Sequence, residues 1–179
     1  MTAGGLNPVT QFRDLYEREY AAVYRSVRAI VLDSAAAEDL TQEAFVKAYR
    51  ARHGYKPTAP VGAWLHRIAV NTAISYLRRQ KLSRLLPVRL YVPAANSEYD
   101  EADARSVVEE ALADLSPKLR AVVALHYFQG YTRDEIAATL GIPSGTVASR
   151  LAKAVATMRR KLGDQKSDTG RLLDEGALR

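Results

Sequence analysis

The sequence predicts an all-α protein made of two small helical domains joined by a flexible linker, the second containing a helix-turn-helix. Three observations carry that reading: apolar residues recur at helical spacing, capping and turn residues interrupt them at definable points, and an acidic, proline-containing stretch without sustained period divides the chain. At 179 residues the length alone allows one medium domain or two small ones. The pattern places a first helical domain at 1–82, a linker at 83–104, a second domain at 105–164 and a mobile tail at 165–179.

Over residues 10–31, Phe12, Leu15, Ala22, Val23, Val27, Ile30 and Val31 fall at helical spacing, and Asp33 and Ser34 then interrupt them. A second helix follows over about 35–52, with Leu40, Ala44, Phe45 and Ala48 inward and Asp39, Gln42, Glu43 and Lys47 outward. It ends before a 54–62 loop that holds Pro57 and Pro60. Between 61 and 81, Val61, Leu65, Ile68, Ala69, Thr72 and Tyr76 share one helical face while Arg67, Asn71, Ser75 and Arg78 share the other. Residues 83–104 carry Pro87, Pro93 and an acidic run, the features of a linker.

The second unit opens near Arg105, breaks at Leu115, and restarts with Ser116 as N-cap and Pro117 at the first helical position. That helix ends near Gly130. Thr132 and Glu135 form a capping box for the next, which stops at Gly141; Ser144 caps a final helix reaching about Leu162. The charge-balanced segment beyond it reads as mobile.

Composition bounds the chemistry. The apolar fraction of 47% is ordinary for a globular protein, and no apolar run approaches the roughly 20 residues of a membrane span, so no membrane insertion is expected. The start of the chain lacks the basic and apolar regions of a signal peptide, which leads to the expectation of a cytoplasmic protein. There is no cysteine, and His53, His66 and His126 lack ligand-like spacing, so neither a metal nor a cofactor is expected. The net charge of +6 is unevenly spread: residues 1–82 hold 12 Lys/Arg against 7 Asp/Glu, 83–115 hold 3 against 7, and 116–164 hold 8 against 3. Two basic blocks flanking an acidic one suit a molecule that grips nucleic acid at two places, although separated basic surfaces also occur in proteins that bind none.

The stretch EIAATLGIPSGTVASRLAKA sets a short helix against a longer one around a Gly-Ile-Pro-Ser turn. Val147, Leu151, Ala154, Val155, Met158 and Leu162 form the apolar face of the longer helix, leaving Ser149, Lys153 and Arg160 opposite. That is the pattern of a helix-turn-helix whose second helix enters the major groove, and equally of a helical hairpin with a solvated polar face; the basic charge of the unit favours DNA.

The stretch ALADLSPKLRAVVALHYFQGYTRDEIAATLGIPSGTVASRLAKAVATMRRKL resembles the C-terminal promoter-reading domain of bacterial sigma factors of the extracytoplasmic-function (ECF) subfamily. In the first half, AAAEDLTQEAFVKAYR is similar to that family's polymerase-docking helix, and WLHRIAVNTAISYLRR to its helix that melts and reads the minus-10 element. The resemblance covers roughly residues 10–163 in the family's order. It implies an alternative sigma factor that binds core RNA polymerase, directs promoter-specific transcription initiation and melts DNA. Its implied partners are core polymerase, promoter DNA (duplex at minus-35, single-stranded at minus-10) and an anti-sigma factor that holds many members inactive.

Residue by residue, the resemblance implies core polymerase binding by Asp39, Gln42, Glu43, Phe45 and Tyr49; on the pattern alone Asp39 and Glu43 fit a solvated face and Phe45 a core position equally well. It implies minus-10 contacts by Lys56, Trp64, Arg67, Asn71, Arg78 and Arg79, with the 54–63 loop helping to hold a flipped base; stacking, amide readout and cations are what single-stranded bases require, while Trp64 also fits a core position. For the minus-35 element it implies Thr146, Ala148, Ser149, Arg150, Ala152 and Lys153. Ala148 and Ala152 stand where relatives often carry basic or bulky side chains, leaving fewer long contacts, though alanine can touch a thymine methyl. The alternative is a helix-turn-helix repressor or activator outside polymerase, which has no use for DLTQEAF followed by WLHRIAVN. An enzyme acting on nucleic acid would require clustered carboxylates or a phosphate loop, and neither motif is present.

Overall fold

The computed structural model describes residues 6–85 and 107–176. Its helices are α1 (Phe12–Val31), α2 (Ser34–Ala51), α3 (Val61–Leu85), α4 (Val107–Ala113), α5 (Pro117–Val123), α6 (Arg133–Leu140) and α7 (Ser144–Gly176). A 3₁₀ turn, Arg52–Gly54, follows α2, and a π-helical turn, Ala124–Phe128, continues α5. The first three helices pack on one another, and α4, α5 and α6 pack on α7. Most of the predicted linker lies outside the described residues; its first positions, 83–85, are the last turn of α3.

Local chemistry explains the element boundaries. α1 ends on Leu32 at φ 60°, a left-handed conformation that costs a non-glycine residue about 1–2 kcal/mol and is offset by packing of its side chain on the core. Asp33 then caps α2 by accepting the Ala36 N–H at 2.8 Å. The Thr132–Glu135 capping box is present in both directions, with Glu135 Oε2 accepting the Thr132 N–H at 2.8 Å and Thr132 Oγ1 accepting the Glu135 N–H at 3.3 Å. Accepting from the Thr132 N–H and from the Thr132 hydroxyl lowers the Glu135 pKa from its ordinary value. Gly130 and Gly141 take left-handed φ values of 72° and 65° and close the helices before them.

Ser116 stands at the N-cap of α5 in an extended conformation with Pro117 opening the helix, as expected; its carbonyl receives the Leu119 and Arg120 amides, and no side-chain capping bond forms. Two expectations are corrected. Ser144 does not cap its own helix: the Pro143 carbonyl accepts the first amides of α7, and the Ser144 hydroxyl donates to Asp134 Oδ1 at 2.7 Å, tying α7 to α6. The helix expected to end near Leu162 continues to Gly176, through residues read as a mobile tail. A glycine inside a helix costs only about 1 kcal/mol, and no proline follows Gly163 to stop the chain.

The core is one continuous cluster drawn from both halves of the chain. Leu15, Val23, Val27 and Ile30 of α1, Leu40, Ala44 and Phe45 of α2, and Leu65 and Ala69 of α3 fill the first unit; Leu119, Val122, Leu125, Ile136, Val147 and Leu151 fill the second. α3 is buried over more than the single face its apolar positions suggest, because His66, Val70 and Ala73 are buried as well. It packs against α1 and α2 and also against α5 and α6.

Polar bonds cross between the two units. The Gln129 side-chain amide donates to the Ala22 carbonyl at 2.9 Å and to Ser26 Oγ at 3.0 Å, both on α1. Arg28 Nη2 meets Glu109 Oε1 at 3.0 Å. The Tyr131 ring packs edge-on to His66 at 5.7 Å, with its hydroxyl 3.4 Å from Nδ1, and Nδ1 lies 3.0 Å from the Gly62 carbonyl.

Among the described residues no helix is long and apolar enough to cross a membrane, and no group of three His, Cys, Asp or Glu residues could hold a metal ion.

His66 is 1% exposed, and burial pushes its pKa below the ordinary 6.5 against smaller raising effects of the Gly62 carbonyl and the Glu19 carboxylate. Below about pH 6.5 the unfolded chain therefore takes up a proton that the folded chain refuses, so this contribution to stability is complete above that pH and is lost as the pH falls toward the folded pKa. Urea unfolding at pH 7.5 and 5.5 should show wild type losing more stability on acidification than His66→Leu, and equal losses would assign the pH dependence elsewhere.

Candidate polymerase and nucleic-acid interfaces

Three surfaces collect the residues singled out in the sequence. On α2, Asp39 and Gln42 are exposed, while Glu43 is half-buried and accepts from Lys47 Nζ at 2.6 Å. The same Nζ donates to Thr72 Oγ1 of α3 at 3.2 Å, so one cation bridges the α2 surface and α3. Phe45 is 3% exposed. Its ring lies 4.7 Å from Tyr16, 5.9 Å from Tyr20 and 6.4 Å from Phe12, so Phe45 supports this surface from below. Tyr49 is 49% exposed, edge-on to Phe12 at 5.1 Å, with the Arg52 guanidinium 3.7 Å over its ring. A flat aromatic held by a second ring and a cation is ordered before any partner arrives, which reduces the entropy lost on docking.

The second surface is the outer arc of α3. Arg67, Asn71, Arg78 and Arg79 are exposed there, and Lys56 is exposed in the loop before it. Trp64 is half-buried, its ring 5.4 Å from Tyr55. Tyr55 donates its hydroxyl to the Ala59 carbonyl at 2.6 Å, which draws the proline-containing loop into a fixed bend. That loop borders a cleft of about 1000 Å³, lined also by Asn7, Arg18, Glu19, Thr58 and Tyr131. Tyr55 and Tyr131 were not singled out in the sequence; an aromatic set in a glycine- and proline-rich loop was the available signal for Tyr55, and none pointed to Tyr131.

The third surface is the start of α7. Val147, Leu151 and Ala154 are buried against the preceding helices, which leaves Ser149, Ala152 and Lys153 exposed and Thr146, Ala148 and Arg150 half-buried. The Ser149 hydroxyl donates to the Thr146 carbonyl at 3.0 Å. Two bonds hold the angle between α6 and α7: Ser144 to Asp134, and the Ile142 amide to the Ala137 carbonyl at 3.1 Å. Among the described residues Arg67, Arg78, Arg79, Arg150 and Lys153 take part in no ion pair, so their charge is available to phosphates.

This arrangement can be set beside known proteins. Residues 15–83 match the family described as Sigma-70 region 2, and residues 105–158 match Sigma-70, region 4. The chain is 34% identical over 152 residues to the ECF RNA polymerase sigma factor SigM of Mycobacterium tuberculosis, covering 85% of this chain and 77% of that protein. It is 31% identical over 160 residues to the RNA polymerase sigma-E factor of Streptomyces avermitilis, covering 89% of each.

The chain belongs to the ECF RNA polymerase sigma factors.

The fold agrees with solved structures. The sigma factor RpoE of Bartonella quintana, in complex with the anti-sigma factor NepR, superposes with a TM-score of 0.69 at 23% identity, over 87% of this chain and 98% of that one. CnrH in complex with the cytosolic domain of CnrY gives 0.63 at 25% identity, over 86% and 88%. In this sigma factor the α2 surface and the α3 arc belong to the segment matching region 2, and the α6–α7 helix-turn-helix to the segment matching region 4.

The helix-turn-helix angle depends on Gly141. A Cβ placed there would meet nothing nearer than Arg67 Nη2 at 3.9 Å, so space is not the constraint and the left-handed φ is. Gly141→Ala should therefore destabilise the sigma factor by about 1 kcal/mol, read as a lower urea midpoint with an unchanged slope.

Proposed function

We propose that this alternative sigma factor docks on core RNA polymerase through the α2 surface, reads the duplex minus-35 element with the start of α7, and traps melted minus-10 bases on the outer arc of α3. The carrying observation is that two separate sets of exposed or half-buried cations without an ion pair among the described residues, one around Asn71 and one around Ser149, stand on helices matching the two sigma regions. Asp39, Gln42, Glu43 and Tyr49 form the docking surface, with Phe45 holding Tyr16 and Tyr20 beneath it. Trp64 and Tyr55 offer aromatic faces, Asn71 an amide, and Lys56, Arg67, Arg78 and Arg79 the backbone cations that single strands require. The cleft beside the 54–62 loop suits a flipped base. Thr146, Ala148, Ser149, Arg150, Ala152 and Lys153 meet the major groove.

The reading is that of a non-catalytic subunit working in the cytoplasm without metal or cofactor. The solved RpoE of similar fold is in complex with an anti-sigma factor, NepR. A protein of that kind, covering these surfaces, is proposed as the inhibitor of this one.

Run-off transcription with purified core polymerase on a promoter library tests the whole reading. Transcription should depend on the added chain and select two elements; a chain that binds DNA but leaves core polymerase inactive would instead be a conventional repressor or activator. In that assay Asn71→Ala should impair opening of duplex promoters and relax minus-10 preference while core binding stays intact, with permanganate reactivity reporting the melting.

Lys153 is the long cationic side chain fully exposed among the base-facing positions, flanked by alanines too short to compete. Lys153→Ala should flatten preference at one or two minus-35 positions, since a lysine contact to guanine contributes roughly 1–3 kcal/mol of discrimination. Arg150→Ala should instead weaken all sequences alike and reduce the salt dependence by about one ion equivalent. Binding-site selection with both variants separates the two outcomes.

A further inference from the structure

Arg160 shares the polar side of α7 with Ser149 and Lys153, yet none of the three surfaces uses it. α7 is one uninterrupted helix from Ser144 to Gly176, so the direction of each side chain follows from about 100° of rotation and about 1.5 Å of rise per residue. Arg160 therefore points within about 20° of both Ser149 and Lys153, and stands about 16 Å beyond the first and about 10 Å beyond the second along the axis. The observed exposure follows this geometry. Ser149, Ala152, Lys153, Ala156, Arg159 and Arg160 are exposed, while Leu151 and Ala154 are buried and Val155 and Met158 half-buried on the side that packs.

The cations near the middle of α7 are unequally engaged. Lys161 turns to Asp114, with Nζ 3.9 Å from Oδ2. Among the described residues Arg159 and Arg160 take part in no ion pair. Two guanidinium groups on neighbouring positions without a counter-charge favour an anionic partner.

A duplex presents such anions at a set place. The major groove is roughly 12 Å wide and is walled on both sides by phosphates. The base-facing positions 146–153 span about 10 Å of axis, so they fit within the groove, whereas Arg160 lies past its edge, beside the wall that the helix passes as it leaves. Base edges are out of reach there. A phosphate is within reach, and the planar, permanently charged head of an arginine suits bidentate contact with it.

Building on the major-groove reading of α7 above, we infer that Arg160 is a phosphate-binding residue for the duplex that flanks the minus-35 element, a contact outside the positions assigned to the groove. Arg159 points about 80° away from Ser149 round the helix and does not share it. The contact reads no base. It fixes the depth and angle at which the helix is seated, and so gives the short side chains of Ala148 and Ala152 a set position over the base edges.

The test uses the full chain assembled with core polymerase, on promoter duplexes in which single phosphates beside the minus-35 element are replaced by neutral methylphosphonates. Arg160→Gln should weaken binding to all sequences alike and lower the salt dependence by about one ion equivalent, so that the wild-type advantage shrinks about three- to four-fold between 50 and 200 mM salt. Neutralising one or two flanking phosphates should weaken wild type and Arg159→Gln and leave Arg160→Gln unaffected, with the minus-35 base preference unchanged throughout. Both arginines are exposed, so the fold should tolerate either substitution, and urea midpoints check this. Equal binding and salt dependence of wild type and Arg160→Gln, an equal loss in Arg159→Gln, or full sensitivity of Arg160→Gln to the neutral phosphates overturns the contact. Loss of core binding in Arg160→Gln with its DNA contacts unchanged overturns it too, and assigns the residue to an acidic protein surface. Wild type that binds promoter duplex without selecting a minus-35 element overturns the groove reading instead, and the response of Arg160→Gln to the neutral phosphates still decides this contact.

Discussion

The limited exposed arc of α3 governs the rest of this molecule. Leu65, Ala69, Val70 and Ala73 are buried together with His66, so α3 is enclosed by α1 and α2 and by the second unit. Burying a side chain such as Leu65 contributes about 1.5–3 kcal/mol, and several of them fix α3 against any rotation that would expose a different face. What remains outward includes Arg67, Asn71, Arg78 and Arg79. The Lys47 bridge to Thr72 then links the position of α2 to that arc. The α2 surface and the exposed arc of α3 are two faces of one rigid packing unit.

Much of this was legible in the sequence where helices bury a single face. The inward residues expected for α2, namely Leu40, Ala44, Phe45 and Ala48, are all buried, and the Thr132–Glu135 box forms because both partners sit within four residues. α3 was harder to read because it packs on more than one side: a histidine and a valine on the second stripe do not form an apolar period. The hydroxyl role was misread at Ser144, where local rules anticipate a cap but the Pro143 carbonyl takes the amides and the hydroxyl turns to Asp134. The contacts of Gln129 were invisible for a different reason: their partners on α1 lie more than 100 residues away, and a lone glutamine after a helix carries no periodic signal. The candidate surfaces came from family resemblance more than from pattern, and Phe45 shows the difference: its place in the motif implied contact, its pattern fitted a core position equally well, and its side chain is buried.

The helix-turn-helix combines a stiff frame with a sparse reading face. Ser144 to Asp134, the left-handed Gly141 and buried Val147 and Leu151 set the helix angle, while Ala148 and Ala152 contribute little reach. A surface of this kind discriminates through where it is placed as much as through what it touches, because backbone contacts hold the register and groove shape is read indirectly. The Ser149 hydroxyl is turned back to the Thr146 carbonyl, so any outside partner has to replace that internal bond and the net gain is small.

The π-helical turn Ala124–Phe128 stands directly before Gln129. A π turn contains one residue more than an α turn, so the chain leaving it is rotated by about 100° from the course of an uninterrupted α-helix. Deleting a single residue there would let the helix run on in α geometry and swing the Gln129 amide off α1, while α3, α6 and α7 kept their own sequences intact. The register that brings Gln129 onto α1 is thus set by one extra residue in a short turn that lies outside α3, α6 and α7.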